Sequence, residues 1–268
     1  MVFRFKIGLK LYSTDVTLIS HSLKLKEEFF DFVELYVIPG SYKKTIDAWK
    51  AFDIPYVIHA PHSLNGVNFA QEDKWETNLQ HFNETRLFAD ELGSDTIIVH
   101  GGNNGSFSEA IRQIRLLNEP RIALENKPKI GLQNELCVGW SPEEFRQAAR
   151  SGALYNMALD FTHAACAAHS LKVKEMEMIR GFMAFNPKVF HLSDGDASSE
   201  KDIHLNLGKG SMKLAEFISV IPNEGCVTIE TPRDPSRGLK DFVEDIHYLW
   251  NIVFGKSYPH KKEMIYTE

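Results

Sequence analysis

Cysteine is scarce in this chain: Cys137, Cys166 and Cys226 are the three present, no two form a C-x-x-C pair, and an odd number cannot close a disulfide framework. They read as reduced residues. No stretch approaches the roughly 18 consecutive apolar residues of a membrane span, and the opening MVFRFKIGLKLY alternates like a strand instead of forming an apolar signal region. A cytoplasmic protein without membrane contact is expected. Positive charge is short too, with 30 Lys and Arg against 36 Asp and Glu and a net charge of -6. That balance argues against holding nucleic acid by bulk field alone and leaves a local basic patch open. Familiar phosphate and cofactor motifs are missing: Trp250 stands where a Walker A glycine would precede Gly255-Lys256-Ser257, and there is neither G-x-G-x-x-G nor H-E-x-x-H.

What is present is globular in balance. With 268 residues, 43% hydrophobic and 25% charged, the chain has room for a large core, as two average domains or one large α/β domain. Eight short apolar runs are bounded by turn residues: FKIGLKLY near the start, then FVELYVI (32–38), PYVIHA (55–60), DTIIVH (95–100), RIALEN (121–126), NMALD (156–160), KVFHLS (188–193) and CVTIET (226–231). They lack strict alternation, as strands buried on both faces do. Segments of helical period separate them. One runs from Asp73 to Leu92 and stops at Gly93, one opens on the capping box Ser141-Pro142-Glu143-Glu144, and the last runs from Leu239 to Phe254 before Gly255. Eight βα units in this length, with no linker or repeat, predict a (β/α)8 TIM barrel, parallel and eight-stranded, as a single domain over residues 1–268. The closing SYPHKKEMIYTE is polar enough to be a loosely held tail.

Six of the eight runs carry a metal-competent side chain at or near their end: His59, His100, Glu125, Asp160, His191 and Glu230. In a parallel barrel all strand ends reach one face, so side chains recurring once per unit converge. His163, Asp202 and His204 extend the set from adjoining segments. A lone strand-end histidine is as often a loop anchor as a ligand, but nine such residues on one face are not nine accidents. Imidazole and carboxylate at this density, without thiolate, suit zinc, with manganese as the second choice. Nine groups exceed one coordination sphere, so two or three ions are implied, with Glu125 able to bridge. Clustered cations are a common device of phosphoryl chemistry.

Other signals are weaker. His62 stands over the site where it could touch substrate or bond backbone. Glu34, inside the second run, faces the barrel interior or is capped by a lysine. Gly101-Gly102-Asn103-Asn104-Gly105 and Gly208-Lys209-Gly210 offer backbone nests for phosphate. Cys166 in AACAA reads as a small packed residue. His21, His81, His169, His247 and His260 read as surface residues.

The strings IHAPHSLN, IIVHGGN, ALEN, ALDFTHAACAA, FHLSD, DIHLNLGKG and IETP resemble, in order and spacing, the endonuclease IV family (AP endonuclease family 2) of the xylose isomerase-like TIM barrels. The resemblance implies a three-zinc enzyme that cuts the phosphodiester 5′ to an abasic site in DNA. It implies that His59, His100 and Glu125 hold one metal. Glu125 would bridge to a second, completed by Asp160, His191 and Glu230, and His163, Asp202 and His204 would hold the third. Glu125 and Glu230 are then the catalytic carboxylates. Departures from the family's pattern fall off the ligand positions: His62 replaces a tyrosine, Phe161-Thr162 stands within the usual D-T-C-H string, and Lys127 replaces the threonine of E-N-T. His62, Lys43 and Lys44 are the candidate substrate contacts, with a solvated helix start as the bland reading of the lysine pair. The expected partner is DNA containing abasic sites, or else a small sugar or phosphate substrate, acted on by a monomer. The alternative is a sugar isomerase or epimerase of the same superfamily, using one metal on Glu125, Asp160, His191 and Glu230, for which His59, His100, Asp202 and His204 are unneeded. A barrel that keeps its metals as a binding module ranks last.

Overall fold

The structure is a computed structural model that describes residues 3–258; the polar tail from residue 259 onward, including His260, lies outside the described residues. Every apolar run forms a strand: β1 (Lys6–Tyr12), β2 (Phe32–Tyr36), β3 (Tyr56–His59), β4 (Ile97–His100), β5 (Ile122–Glu125), β6 (Asn156–Asp160), β7 (Val189–Leu192) and β8 (Cys226–Ile229). All pair in parallel in sequence order, and β1 closes on β8, which makes the (β/α)8 barrel. The helices are α1 (Ile19–Leu25), α2 (Tyr42–Ala51), α3 (Trp75–Glu91), α4 (Phe107–Leu117), α5 (Pro142–Arg150), α6 (Phe161–Leu171), α7 (Glu175–Met183), α8 (Leu214–Val220) and α9 (Lys240–Phe254). Their punctuation follows the sequence. Ser141 accepts from Glu144 N while Glu144 reaches back to the cap, and Gly255 takes the left-handed conformation that ends α9.

Two apolar layers follow from the pleat, because successive side chains on a strand point to opposite faces. Outward residues such as Leu35, Ile97, Val99, Leu124, Leu159 and Phe190 join the helices in one large core. Inward residues Phe32, Val57, Ile98, Ala123, Ala158 and Val189 form a second cluster that plugs the barrel. Gly8 makes room for that plug, since a Cβ there would stand 2.4 Å from the Phe32 ring. Polar groups continue the inner layer towards the C-terminal ends. Two residues further along the same inward faces come Glu34, His59, His100, Glu125, Asp160 and His191, all but His100 fully buried. Among the described residues no helix is long and apolar enough to cross a membrane.

Candidate metal centre

Strand register brings the inward residues side by side: His100 lies opposite Glu125, and Asp160 opposite His191. Glu125 sits at the middle of the mouth. Its Oε2 is 3.3 Å from His59 Nε2, 2.9 Å from His100 Nε2 and 3.7 Å from His191 Nδ1. Ligand atoms of His59, His100 and Glu125 lie within 4.8 Å of one another, and so do those of Glu125, Asp160 and His191, so Glu125 belongs to two sets. Glu230, just past β8, places Oε2 at 2.6 Å from His191 Nδ1.

The third group is built on a helix start. Asp160 is both the last residue of β6 and the N-cap of α6, accepting from His163 N at 2.7 Å. One carboxylate oxygen is spent on the cap, and the helix turn places His163 over the site, which is why D-x-x-H has that spacing. Asp160, His163 and His204 again offer ligand atoms within 4.8 Å. Asp202 Oδ2 joins them, 3.1 Å from His163 Nε2 and 2.6 Å from His204 Nε2. The nine sequence-predicted ligands thus converge.

Three histidines are held from behind. His59 Nδ1 donates to Ala60 O and His163 Nδ1 to Asn126 O, because a carbonyl can only accept, and this leaves each Nε2 facing the cluster. His191 is turned the other way: its Nε2 donates to Glu34 Oε2 at 2.8 Å and Nδ1 faces Glu230 and Glu125. Fixing one ring nitrogen so that the other is free is how proteins orient imidazole towards a cation.

The electrostatics show what the site is short of. Five carboxylates, Glu34, Glu125, Asp160, Asp202 and Glu230, gather here; the ammonium of Lys10 pairs with Glu34 and Glu230, and that of Lys127 lies against His163. Burial raises Asp160, with Asp202 and Glu230 pushing the same way. Burial also opposes ionisation of Glu125 and Glu230, yet His100 and His191 hold the first, and Lys10 and His191 the second, well below the carboxylate range. His163 is lifted to about 10: burial lowers it, but Asp160 and Asp202 outweigh that. Buried Glu125 Oε1, Asp160 Oδ2 and Asp202 Oδ1 have no hydrogen-bond partner, and the short contacts of His191 Nδ1 with Glu230 Oε2 and of His204 Nε2 with Asp202 Oδ2 lack hydrogen-bond geometry. Buried acceptors without donors are costly, and converging ones match the donor set of hard to borderline divalent cations. The residues present therefore fit the implied metals.

The structure adds Lys10 and Asn126, which the sequence pattern did not single out, and gives places to Glu34 and Lys127. Lys10, on β1, donates to Glu230 Oε1 at 2.6 Å and lies 3.1 Å from Glu34 Oε1. Glu34 also accepts from Thr228 Oγ1 at 2.7 Å, so both readings of Glu34 hold: it faces the interior and pairs with a lysine. Asn126 stitches β5 to β6 through Asp160 O and Asp160 N. Lys127 Nζ approaches His163 Nε2 at 3.2 Å. Among the candidate substrate contacts, His62 lines the cavity beside the cluster, its ring stacked on His100 at 4.9 Å. Lys43 and Lys44 are exposed on the first turn of α2 and line neither cavity bordering the cluster.

Neither glycine segment is a phosphate nest. In the first, Asn103 N is taken by Asn68 Oδ1 and Asn104 N by Leu136 O. In the second, Gly208 N and Gly210 N both donate to Asp194 Oδ2, so the nest already holds an anion, a carboxylate of the chain itself. Cys166 is buried in α6 as expected. His21 and His169 are exposed, whereas His81 and His247 are half-buried, and His247 stacks on Tyr258.

Known proteins share this architecture. The model of the xylose isomerase-like TIM barrel family matches residues 25–251. The chain belongs to that family. A curated relative from Mycoplasma mycoides subsp. mycoides SC, described as a probable endonuclease 4, is 26% identical over 71% of this chain and 72% of its own length. Among solved structures of this fold, endonuclease IV from Thermus thermophilus superposes with a TM-score of 0.66 at 21% identity, covering 91% of this chain and 98% of that one. A D-tagatose 3-epimerase-like protein superposes equally well, with a TM-score of 0.67 at 20% identity, covering 93% and 97%. An endonuclease and an epimerase-like protein thus share this barrel.

Proposed function

We propose that the protein is a metal-dependent phosphodiesterase that cleaves DNA on the 5′ side of abasic sites and carries about three zinc ions per chain, with manganese as a substitute. One observation carries the reading: ligand groups continue beyond the single-metal set of Glu125, Asp160, His191 and Glu230 on both sides, as His59 with His100 and as His163 with Asp202 and His204. An enzyme using one metal to polarise a sugar carbonyl has no need of either flank. When bound, clustered ions lower the pKa of water and neutralise charge on phosphoryl oxygens. The chain's own part is to hold the ligands in place. Glu125 serves two sets at once, Glu34 and the Ala60 and Asn126 carbonyls fix the imidazoles, and Lys10 fixes one oxygen of Glu230. His62 lines the cavity where the substrate enters, and Lys43 and Lys44 are assigned to the DNA backbone further out on the same face. An extrahelical nucleotide without a base is cheap to rotate out of the stack, which favours its selection by a recessed site. The protein is expected to act in the cytoplasm as a monomer.

The superposition on a D-tagatose 3-epimerase-like protein favours a second reading, a single-metal sugar isomerase or epimerase. A labelled oligonucleotide with one abasic site decides between them: incision 5′ to the site by zinc-loaded protein supports the phosphodiesterase. No incision, together with a single bound ion and turnover of a ketose, establishes the isomerase.

A further inference from the structure

Among the described residues, Lys127 is the one lysine or arginine lining a cavity of about 180 Å3 that borders the cluster, between His62 and His100 on one side and His163 and Asp202 on the other. Its position is set by backbone hydrogen bonds. Lys127 lies two residues beyond Glu125, the last residue of β5. Asn126 between them is sewn to β6, and Lys127 N donates to Gly139 O. Lys127 is half-buried, and among the described residues no carboxylate lies within 4.0 Å of its ammonium; its partner within hydrogen-bond distance is His163 Nε2, at 3.2 Å. The acids lining the cavity are engaged elsewhere, Asp202 by His163 and His204, and Glu135 by Gln133 N.

That partner is unsuited to the role. His163 Nδ1 donates to Asn126 O, so Nε2 is the nitrogen available as a ligand. Whenever it serves as one it cannot accept from Lys127, and the ammonium is left facing the cavity beside other positive charge. A partly desolvated ammonium in that setting needs an anionic oxygen. We propose that Lys127 is a substrate-binding residue that takes a non-bridging oxygen of the substrate's phosphate group, seated in this cavity against His163. The inference rests on the phosphodiesterase reading and deepens it, because it makes one lysine an anchor for the phosphoryl group.

The test uses zinc-loaded full-length protein, with bound metal measured by elemental analysis and inorganic phosphate titrated by calorimetry, for the wild type, Lys127→Ala and Lys127→Arg. The expected result is a loss of about tenfold or more in phosphate affinity for Lys127→Ala, as a charge-assisted hydrogen bond implies. Metal content should be unchanged, and Lys127→Arg should restore binding. Phosphate affinity unchanged in Lys127→Ala overturns the assignment. So does uptake of one extra ion by Lys127→Ala, which would make the ammonium a stand-in for a cation. Repeating the titration with an abasic oligonucleotide and with a sugar phosphate shows which source supplies the phosphate: the one whose affinity depends on Lys127. Dependence in neither overturns the proposal. Wild type that takes up no metal would defeat the functional reading on its own, whatever Lys127 does.

Discussion

Glu34 shows how much of this site lies behind its ligands. It is fully buried, accepts from His191 and Thr228, and pairs with Lys10, which in turn holds Glu230. Although burial opposes its ionisation, His191 and Lys10 bring it down to about 2, so it remains a carboxylate. Glu34→Ala should weaken metal affinity by about 10- to 100-fold, the usual effect of removing a partner behind a ligating histidine. Glu34→Gln, which keeps an acceptor for His191, should recover part of it; competition with a chromogenic chelator reads both. Glu230→Gln should lower turnover by at least about a hundredfold with folding intact by circular dichroism. Glu230 was legible in the sequence because an acid at the end of an apolar run is conspicuous. Lys10 was not, because Lys6 and Lys10 occupy the same face of β1, one exposed and the other inside the mouth, and only barrel closure separates them. Lys127 was legible as a departure from a pattern but not as a cavity wall, since its placement depends on Asn126 tying β5 to β6.

At the scale of elements, the eight strands were readable because buried parallel strands are nearly continuous apolar runs, and helix boundaries because caps have residue signatures. The Ser141 cap is the cleanest case. Ser141→Ala should cost about 1 kcal/mol, measured by urea unfolding, with no change in metal content because α5 contributes no ligand. The glycine segments mark where local reading fails. A run such as Gly208-Lys209-Gly210 predicts a nest, and a nest forms, but what fills it is decided by Asp194, fourteen residues upstream of Gly208 in the hydrogen bond that closes it. Asp160 teaches the converse: strand end, helix cap and ligand are one residue, so the cap fixes where His163 can lie.

Over the whole molecule, an inward apolar plug closes the barrel below and a layer of acids and imidazoles replaces it above. The plug stabilises the fold without metal, whereas the upper layer carries buried carboxylate oxygens that lack donors. A cation bound only by the folded state at a free concentration a hundred times its dissociation constant adds about 2.7 kcal/mol. Chelation should therefore lower the midpoint of thermal unfolding by several degrees, at roughly 2–4 °C per kcal/mol for a chain of this size, and zinc should restore it. His204→Ala should remove one ion and leave the rest, because His204 belongs to the third group alone. The most direct test of the account is the number of metal ions per chain in purified, zinc-equilibrated protein. About three, falling to about two in His204→Ala, is the result it predicts; one ion, unaffected by that substitution, or none at all would contradict it.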